Sequence, residues 1–429
     1  MTSDGLRLSP FRGLRYAPGK VSGLAAVTSP PYDVVVRPDE VRDLETSDPY
    51  NIVRLILPEA DDESARQTKA ARTLRQWLAE GVMAFDPRPA LYVYEQRRGD
   101  VLQRGLIGAL ELSPPEDGKV LPHEGVIDEV VEDRAALMRG TGANLEPLLL
   151  SYRGDGTASG ATAVIEQAVL RAPLLATTTE DGFSHRLWSV TDPGELDAVH
   201  ADLSQHRALI ADGHHRWATY LRLRDEHSKS AAAGEDSPWN HGLVLLVDTA
   251  RYPLRVQAIH RVLPRLPLKS ALDAVDAQQA FRVTPLAQAL PQALETLGST
   301  PGNAFLLTDG SGTFHLLDRP APALLERALD ARRPEEWRQL DAAVLHSALL
   351  ESVWRVPDRP QDIAYIHDAS AAVGKAAQLG GTAVLMRPVR EETVRRLAEQ
   401  GVTMPRKSTS FGPKPATGLV LRVLDEGTH

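Results

Sequence analysis

The stretch "RALIADGHHRWATYLRLRDEH", Arg207 to His227, changes its period in mid-course. Ala208–Ala211 form an apolar run suited to a buried strand, whereas Trp217, Tyr220 and Leu221 recur at helical spacing, with Arg224 continuing the stripe. Asp212 and Gly213 stand between the two patterns, so the spacing predicts a strand–turn–helix unit. A short strand that feeds straight into a helix belongs to layered α/β architecture.

The rest of the chain agrees with that class. The run "DDESARQTKAARTLRQWLAEG" from Asp61 is acidic first, basic later and closed by Gly81, which is the pattern of a capped helix. "ALYVYEQ" and "RGLIGALEL", joined by "RRGD", predict a β-hairpin. The proline-rich first sixty residues predict loops alternating with short strands. Beyond "SKSAAAGEDSP", a surface linker, strand-like and helix-like pieces alternate up to a last strand, "GLVLRVL". The expected fold is therefore mixed α/β, in three segments at 1–150, 151–265 and 266–429, since 429 residues exceed what one core usually serves.

Composition sets limits. A formal net charge of -9 argues against a general nucleic-acid coat. The absence of cysteine removes thiolate catalysis, disulfides and cysteine-ligated metal clusters together. No apolar run approaches the ~18 residues of a membrane span, and the N-terminus has no apolar leader core, so a cytoplasmic protein is expected.

A turn that opens a helix leaves backbone N–H groups unpaired at the positive end of the helix dipole, a natural seat for phosphate. Gly213 permits close approach, and His214, His215 and Arg216 add donors. Asp212 is either the helix cap or part of the site. The histidine spacing, with His206, His214 and His215, is not the i, i+4 pattern of zinc. Magnesium needs only one or two carboxylates plus substrate phosphates, and Asp212 can supply one.

Three further segments carry chemistry. His123 and Glu124 in "PHEG" pair an imidazole with a carboxylate able to handle a proton. The loop "MPRKSTSFGPKPATG" gathers Arg406, Lys407, Ser408, Thr409 and Lys414 without Walker A spacing, and can clamp phosphate by charge and hydroxyl donors. "SPPYDVV" presents Tyr32 and Asp33 after a stiff double proline, and "EDRAALMRGTGANLEP" presents Arg134 and Asn144. No nucleophile elbow is present, which sets acyl hydrolysis aside.

Taken in order, "SPPYDVV", "PHEGVIDEVVEDRAALMRGTGANLEPLL", "ADGHHRWATY", "IHRVL" and "MPRKSTSFGPKPATGLV" resemble the bacterial and archaeal domain of unknown function 1015 family. The family's pattern falls on Pro30–Asp33, His123, Glu124, Asp133, Arg134, Asn144, Pro147, Asp212–Arg216 and on Met404, Pro405, Lys407–Thr409, Phe411, Pro413 and Lys414. Relatives carry a threonine and a lysine soon after the His-Glu pair, where this chain is acidic, "HEGVIDEVVEDR". The turn itself resembles that of the wider ParB-like and sulfiredoxin-like superfamily, which includes free-serine kinases. That resemblance implies a ParB-like core carrying Asp212–Arg216, flanked by additional α/β segments, with a nucleotide (ATP or ADP) or pyrophosphate as phosphate donor.

The function expected is phosphoryl transfer on a small hydroxy metabolite or its phosphoester, in kinase or phosphatase direction. His123, Glu124, Asp212, His214 and His215 are the expected catalytic groups. Gly213–Arg216, Lys407–Thr409 and Lys414 are expected to hold phosphate, and Tyr32, Asp33, Arg134 and Asn144 to hold substrate. A nucleotide-gated, DNA-associated regulator is the alternative, disfavoured by the negative charge and the lack of a basic recognition helix.

Overall fold

Apolar runs that read as continuous rather than alternating, such as Leu148–Tyr152 and Gly242–Asp248, form strands covered on both faces, as interior strands of an α/β sheet must be. The computed structural model describes residues 5–35, 38–228 and 237–424, so most of the expected linker lies outside the described residues. The fold is mixed α/β, and its contacts divide the chain into two units. Residues 1–122, 126–254 and 413–429 form the first, and residues 123–125 with 255–412 form the second.

The first unit is built on a mixed nine-stranded sheet. Its order is Val120–Leu121, Ala208–Asp212, Leu148–Tyr152, His241–Asp248, Val101–Glu111, Leu91–Arg98, Ser184–Val190 and Leu175–Thr178, with Leu8–Ser9 added beside Val101–Glu111. The expected hairpin is present: Arg98 pairs with Val101, and Gly99 takes the positive φ of 57° that so tight a turn requires. The predicted strand–turn–helix unit is also present, as Ala208–Asp212 followed by the helix His214–Ser228. That helix lies against Asp128–Thr141, where the Thr219 hydroxyl donates to the Val131 carbonyl at 3.2 Å. A separate apolar cluster joins Leu14, Tyr16, Ile52, Trp77 and Leu145 to Leu421 and Val423 from the far end of the chain.

The second unit has a six-stranded antiparallel sheet, in the order Arg282–Leu286, Phe314–Asp318, Ala304–Thr308, Thr382–Leu385, His260–Leu263 and Ala364–Ile366. Its core is Val262, Leu297, Leu306, Phe314, Ala376 and Leu385. Arg255–Gln257 pairs with Ser410–Gly412 as a separate ribbon. Val344–Val353 winds as a π-helix, an expanded form usually confined to single turns. The Trp354 N–H reaches back five residues to the Leu349 carbonyl at 2.8 Å.

Two expectations are corrected. The first sixty residues hold helices at Leu24–Val27, Pro38–Ser47 and Val53–Ile56 besides two short strands. A four-residue apolar run such as "VRLI" has no period long enough to tell a buried helical turn from a strand. The final "GLVLRVL" is not one continuous strand: Arg422–Val423 pairs with Ala143–Asn144, while Leu421 bridges to Leu14. Leu421 and Val423 are apolar because they fill the cluster around Leu14 and Trp77.

Candidate functional site

The turn at Gly213 is fixed by three local features. The pairing of Ala208–Asp212 with Leu148–Tyr152 shifts between Ile210 and Asp212, so Ala211 is the extra residue of a bulge that re-aims Asp212. Gly213 adopts φ +102°, and a Cβ there would fall 2.8 Å from Leu148 Cγ and 3.1 Å from Arg216 Nη2. The Gly213 carbonyl accepts the Trp217 N–H at 2.9 Å, which makes Gly213 the cap of the helix.

Asp212 is thereby released for other work. Its Oδ2 accepts from Arg216 Nη2 at 2.8 Å and its Oδ1 meets Lys414 Nζ at 2.5 Å. Lys414 also donates to Asp33 Oδ2, so one ammonium bridges two carboxylates. Arg216 is about 1% exposed and lies 4.0 Å from Glu146 Oε2. Glu146 in turn accepts the Tyr32 N–H at 2.9 Å and the Thr417 hydroxyl at 3.4 Å. The Tyr32 ring lies under two guanidinium groups, 4.6 Å from Arg134 and 5.5 Å from Arg216.

Three carboxyl groups, Asp33, Asp212 and Glu146, are thus gathered about Arg216 and Lys414, with Arg134 also acting on Glu146. Their burial shows in the protonation equilibria. Burial, followed by Asp33, pushes the Asp212 carboxyl up against the pull of Lys414 and Arg216, and burial likewise raises Glu146. Burial works against the charge of Lys414, but Asp212 and Asp33 outweigh it and hold the proton more tightly than usual. Arg216 is held the same way by Glu146, Asp212 and Asp33. Burial raises the Tyr32 phenol to about 12.

Other expected residues fall elsewhere. Asn144 Oδ1 accepts from the Leu243 N–H at 3.3 Å and from Arg422 at 3.2 Å, a strut between strands. Arg134 donates to Asp133 and, at 3.0 Å, to the Ile56 carbonyl. It also borders a cavity of about 690 Å³ whose wall includes Leu57, Arg66, Asp133 and Leu137. His214 is buried and His215 half-buried, and both are engaged by neighbours.

In the second unit, the His123 ring is fully buried, with Nε2 2.8 Å from the Thr409 hydroxyl. The same hydroxyl lies 3.3 Å from Glu124 Oε1, so one threonine oxygen joins the imidazole to the carboxylate. Ser408 turns back to donate to the Pro405 carbonyl. Lys407 is exposed, at φ +55°. Of the loop from Lys407 to Lys414, residues up to Gly412 belong to the second unit and Lys414 to the first. Among the described residues no group of three His, Asp or Glu is arranged to hold a metal ion.

Residues 8–343 match the family described as "Protein of unknown function (DUF1015)". The chain belongs to that family. The DUF1015 match includes Tyr32, Asp33, Glu146 and Asp212–Arg216 but stops short of Lys407–Lys414. No curated protein matches the sequence. Among solved structures, a conserved hypothetical protein from Pyrococcus furiosus is 16% identical, with a TM-score of 0.33 over 69% of this chain and 88% of its own. A free serine kinase in complex with AMP is 18% identical, with a TM-score of 0.34 over 69% and 84%. SbnI from Staphylococcus aureus, with a C-terminal truncation, is 10% identical, with a TM-score of 0.34 over 71% and 82%. Overlaps this loose carry no weight for the reaction of the DUF1015 chain.

Glu146 was not among the expected site residues. Its signal is present in "NLEPLLLSY", a lone carboxylate in an apolar run, which must find a partner when buried. Arg261, in "IHRVL", carries the same signal with opposite sign.

Proposed function

We propose that this DUF1015 protein transfers a phosphoryl group to or from a small hydroxylated metabolite at the Gly213 turn. The observation that carries the reading is the Asp33–Lys414–Asp212 bridge placed against the start of the helix His214–Ser228. The N–H groups that open the helix, with Lys414, hold the phosphate oxygens and offset the charge that develops on them. Asp212, gripped by both Arg216 and Lys414, fixes the ammonium in place. Asp33, the more exposed carboxylate at 31% against 11%, takes the proton of the attacking hydroxyl. In the kinase direction the hydroxyl oxygen bonds to phosphorus, the bond to the leaving phosphate oxygen breaks, and the proton passes to Asp33. In the phosphatase direction a water oxygen bonds to phosphorus, the bond from phosphorus to the metabolite oxygen breaks, and Asp33 passes the proton taken from water to that leaving oxygen.

The cavity beside Arg134 is of the size that small ligands fill, and Tyr32 stands between Arg134 and Arg216. Magnesium would arrive with a nucleotide's phosphates, because Lys414 already bridges the two carboxylates a resident ion would use. His123 and Glu124 are proposed separately as a proton-handling pair, tested by His123→Asn and Glu124→Gln.

The test is a phosphorus NMR assay of the full chain with ATP, ADP or pyrophosphate and free serine, and with phosphoserine alone, each with and without magnesium. Turnover in one condition that Asp33→Asn abolishes supports the reading. Absence of turnover in all of them, joined to nucleotide-dependent retention of DNA, favours the regulatory alternative and overturns this one.

A further inference from the structure

Two arginines of this chain are each about 1% exposed, and their surroundings differ in kind. The charge of Arg216 is met by Asp212 and approached by Glu146. Arg261, on the strand His260–Leu263 of the second unit, meets only neutral acceptors. One Nη1 proton goes to the Ile259 carbonyl and the other to Met386 Sδ at 3.3 Å. Nη2 donates to His346 Nε2 at 3.0 Å and to the Lys407 carbonyl at 2.9 Å. The fifth donor, Nε–H, is buried and has no hydrogen-bond partner; the carboxylates Asp358 and Glu124 are felt by the group but accept none of its described hydrogen bonds. The Tyr365 ring covers the guanidinium at 5.0 Å.

Asp358 and Glu124 act on that charge only from beyond hydrogen-bonding distance, so burying the guanidinium is costly and an anion reaching its Nε–H would offset the cost. Burial lowers the proton affinity of Arg261 to about 10, which leaves it charged at neutral pH. The surroundings show the same investment. Lys407 is held at φ +55°, a left-handed conformation that is strained for a non-glycine residue, and Arg261 grips its carbonyl. His346 reaches Arg261 from the π-helical stretch Val344–Val353, the kind of local expansion found at functional sites. Arg406 and Lys407, both exposed, add two cations on the same turn, and the charge of Arg406 is felt at Tyr365.

We propose that the second unit carries an oxyanion site at Arg261, completed by Arg406 and Lys407, and that its ligand is a phosphate group. Arg261, Arg406 and Lys407 outnumber the neighbouring Asp358 and Glu124, and a phosphate can accept from several of these donors at once where a carboxylate offers fewer oxygens. The site lies wholly within the second unit and does not depend on the reading of the Gly213 turn.

The test is hydrogen exchange of the full chain with inorganic phosphate, compared with acetate at equal ionic strength, alongside calorimetric titration. Phosphate is expected to protect amides 404–412, and acetate is not. Arg261→Met should remove that protection and weaken phosphate binding about tenfold or more, the loss of one charge-assisted hydrogen bond. Should that variant fold poorly, Arg406→Ala with Lys407→Ala alters exposed side chains only and is expected to weaken binding similarly. Lys414→Met should leave protection at 404–412 intact while changing amides 211–216, so the two readings fail separately. Unchanged exchange at 404–412, protection that survives either set of variants, or equal protection by acetate would overturn the proposal.

Discussion

At the scale of single residues, Lys414 does the most with one atom. Its ammonium touches both Asp33 and Asp212, and its side chain is 20% exposed. Lys414→Met would leave two carboxylates facing each other across the gap. Removing one partner from so buried a pairing costs on the order of 3 kcal/mol, measurable as a lower urea midpoint. Asp33→Asn in the same background should recover part of the loss, because it removes the repulsion. A lysine serving only as a surface contact would show neither effect. This linkage was half legible in the sequence. Asp33, Asp212 and Lys414 each stood out as polar groups in turn-rich stretches, but their pairing depends on segments 179 and 381 positions apart along the chain, which local pattern does not encode.

Among elements, the strand–glycine–helix unit was the most legible, because a change of period and a turn residue coincide at Gly213. Gly213→Ala tests whether the turn matters as built. The new methyl group would meet Leu148 and Arg216 at a φ of +102°, so a loss of ~1–3 kcal/mol and displacement of Arg216 are expected. Thermal unfolding reads the first effect, and loss of phosphate-dependent protection at amides 211–216 reads the second. A variant with wild-type stability and binding would show that the close approach at Gly213 is not used. Short elements were less legible for a physical reason. Val53–Ile56 and Leu24–Val27 are single turns stabilised by the cluster they enter, so tertiary packing rather than periodicity decides their form.

For the whole molecule, buried histidines set the response to acid. Burial lowers His185 in the first unit, and His260 and His346 in the second, to about 4 from an ordinary 6.5. A depressed value means that the unfolded chain binds the proton first. The stabilisation is therefore complete above about 6.5 and is lost as pH falls toward 4. His185, 3% exposed, with Nδ1 at 2.8 Å from the Tyr94 hydroxyl, accounts for about 3 kcal/mol of that loss. Urea midpoints should decline through this window, and less steeply in His185→Gln; parallel slopes would show that other groups govern the decline. The alternation of strand-like and helix-like periods marked the mixed α/β class but not the division into units, because the chain leaves the first unit after Leu254 and re-enters it at Pro413. That return has a consequence for synthesis. Leu421 and Val423 complete the cluster begun by Leu14 and Tyr16, and Lys414 completes the Asp33–Asp212 pair. While the ribosome is still translating the second unit, the first is a sheet with an open core whose Asp33 and Asp212 still await Lys414. A nascent chain halted before residue 413 therefore offers quality-control proteases an unfinished first unit.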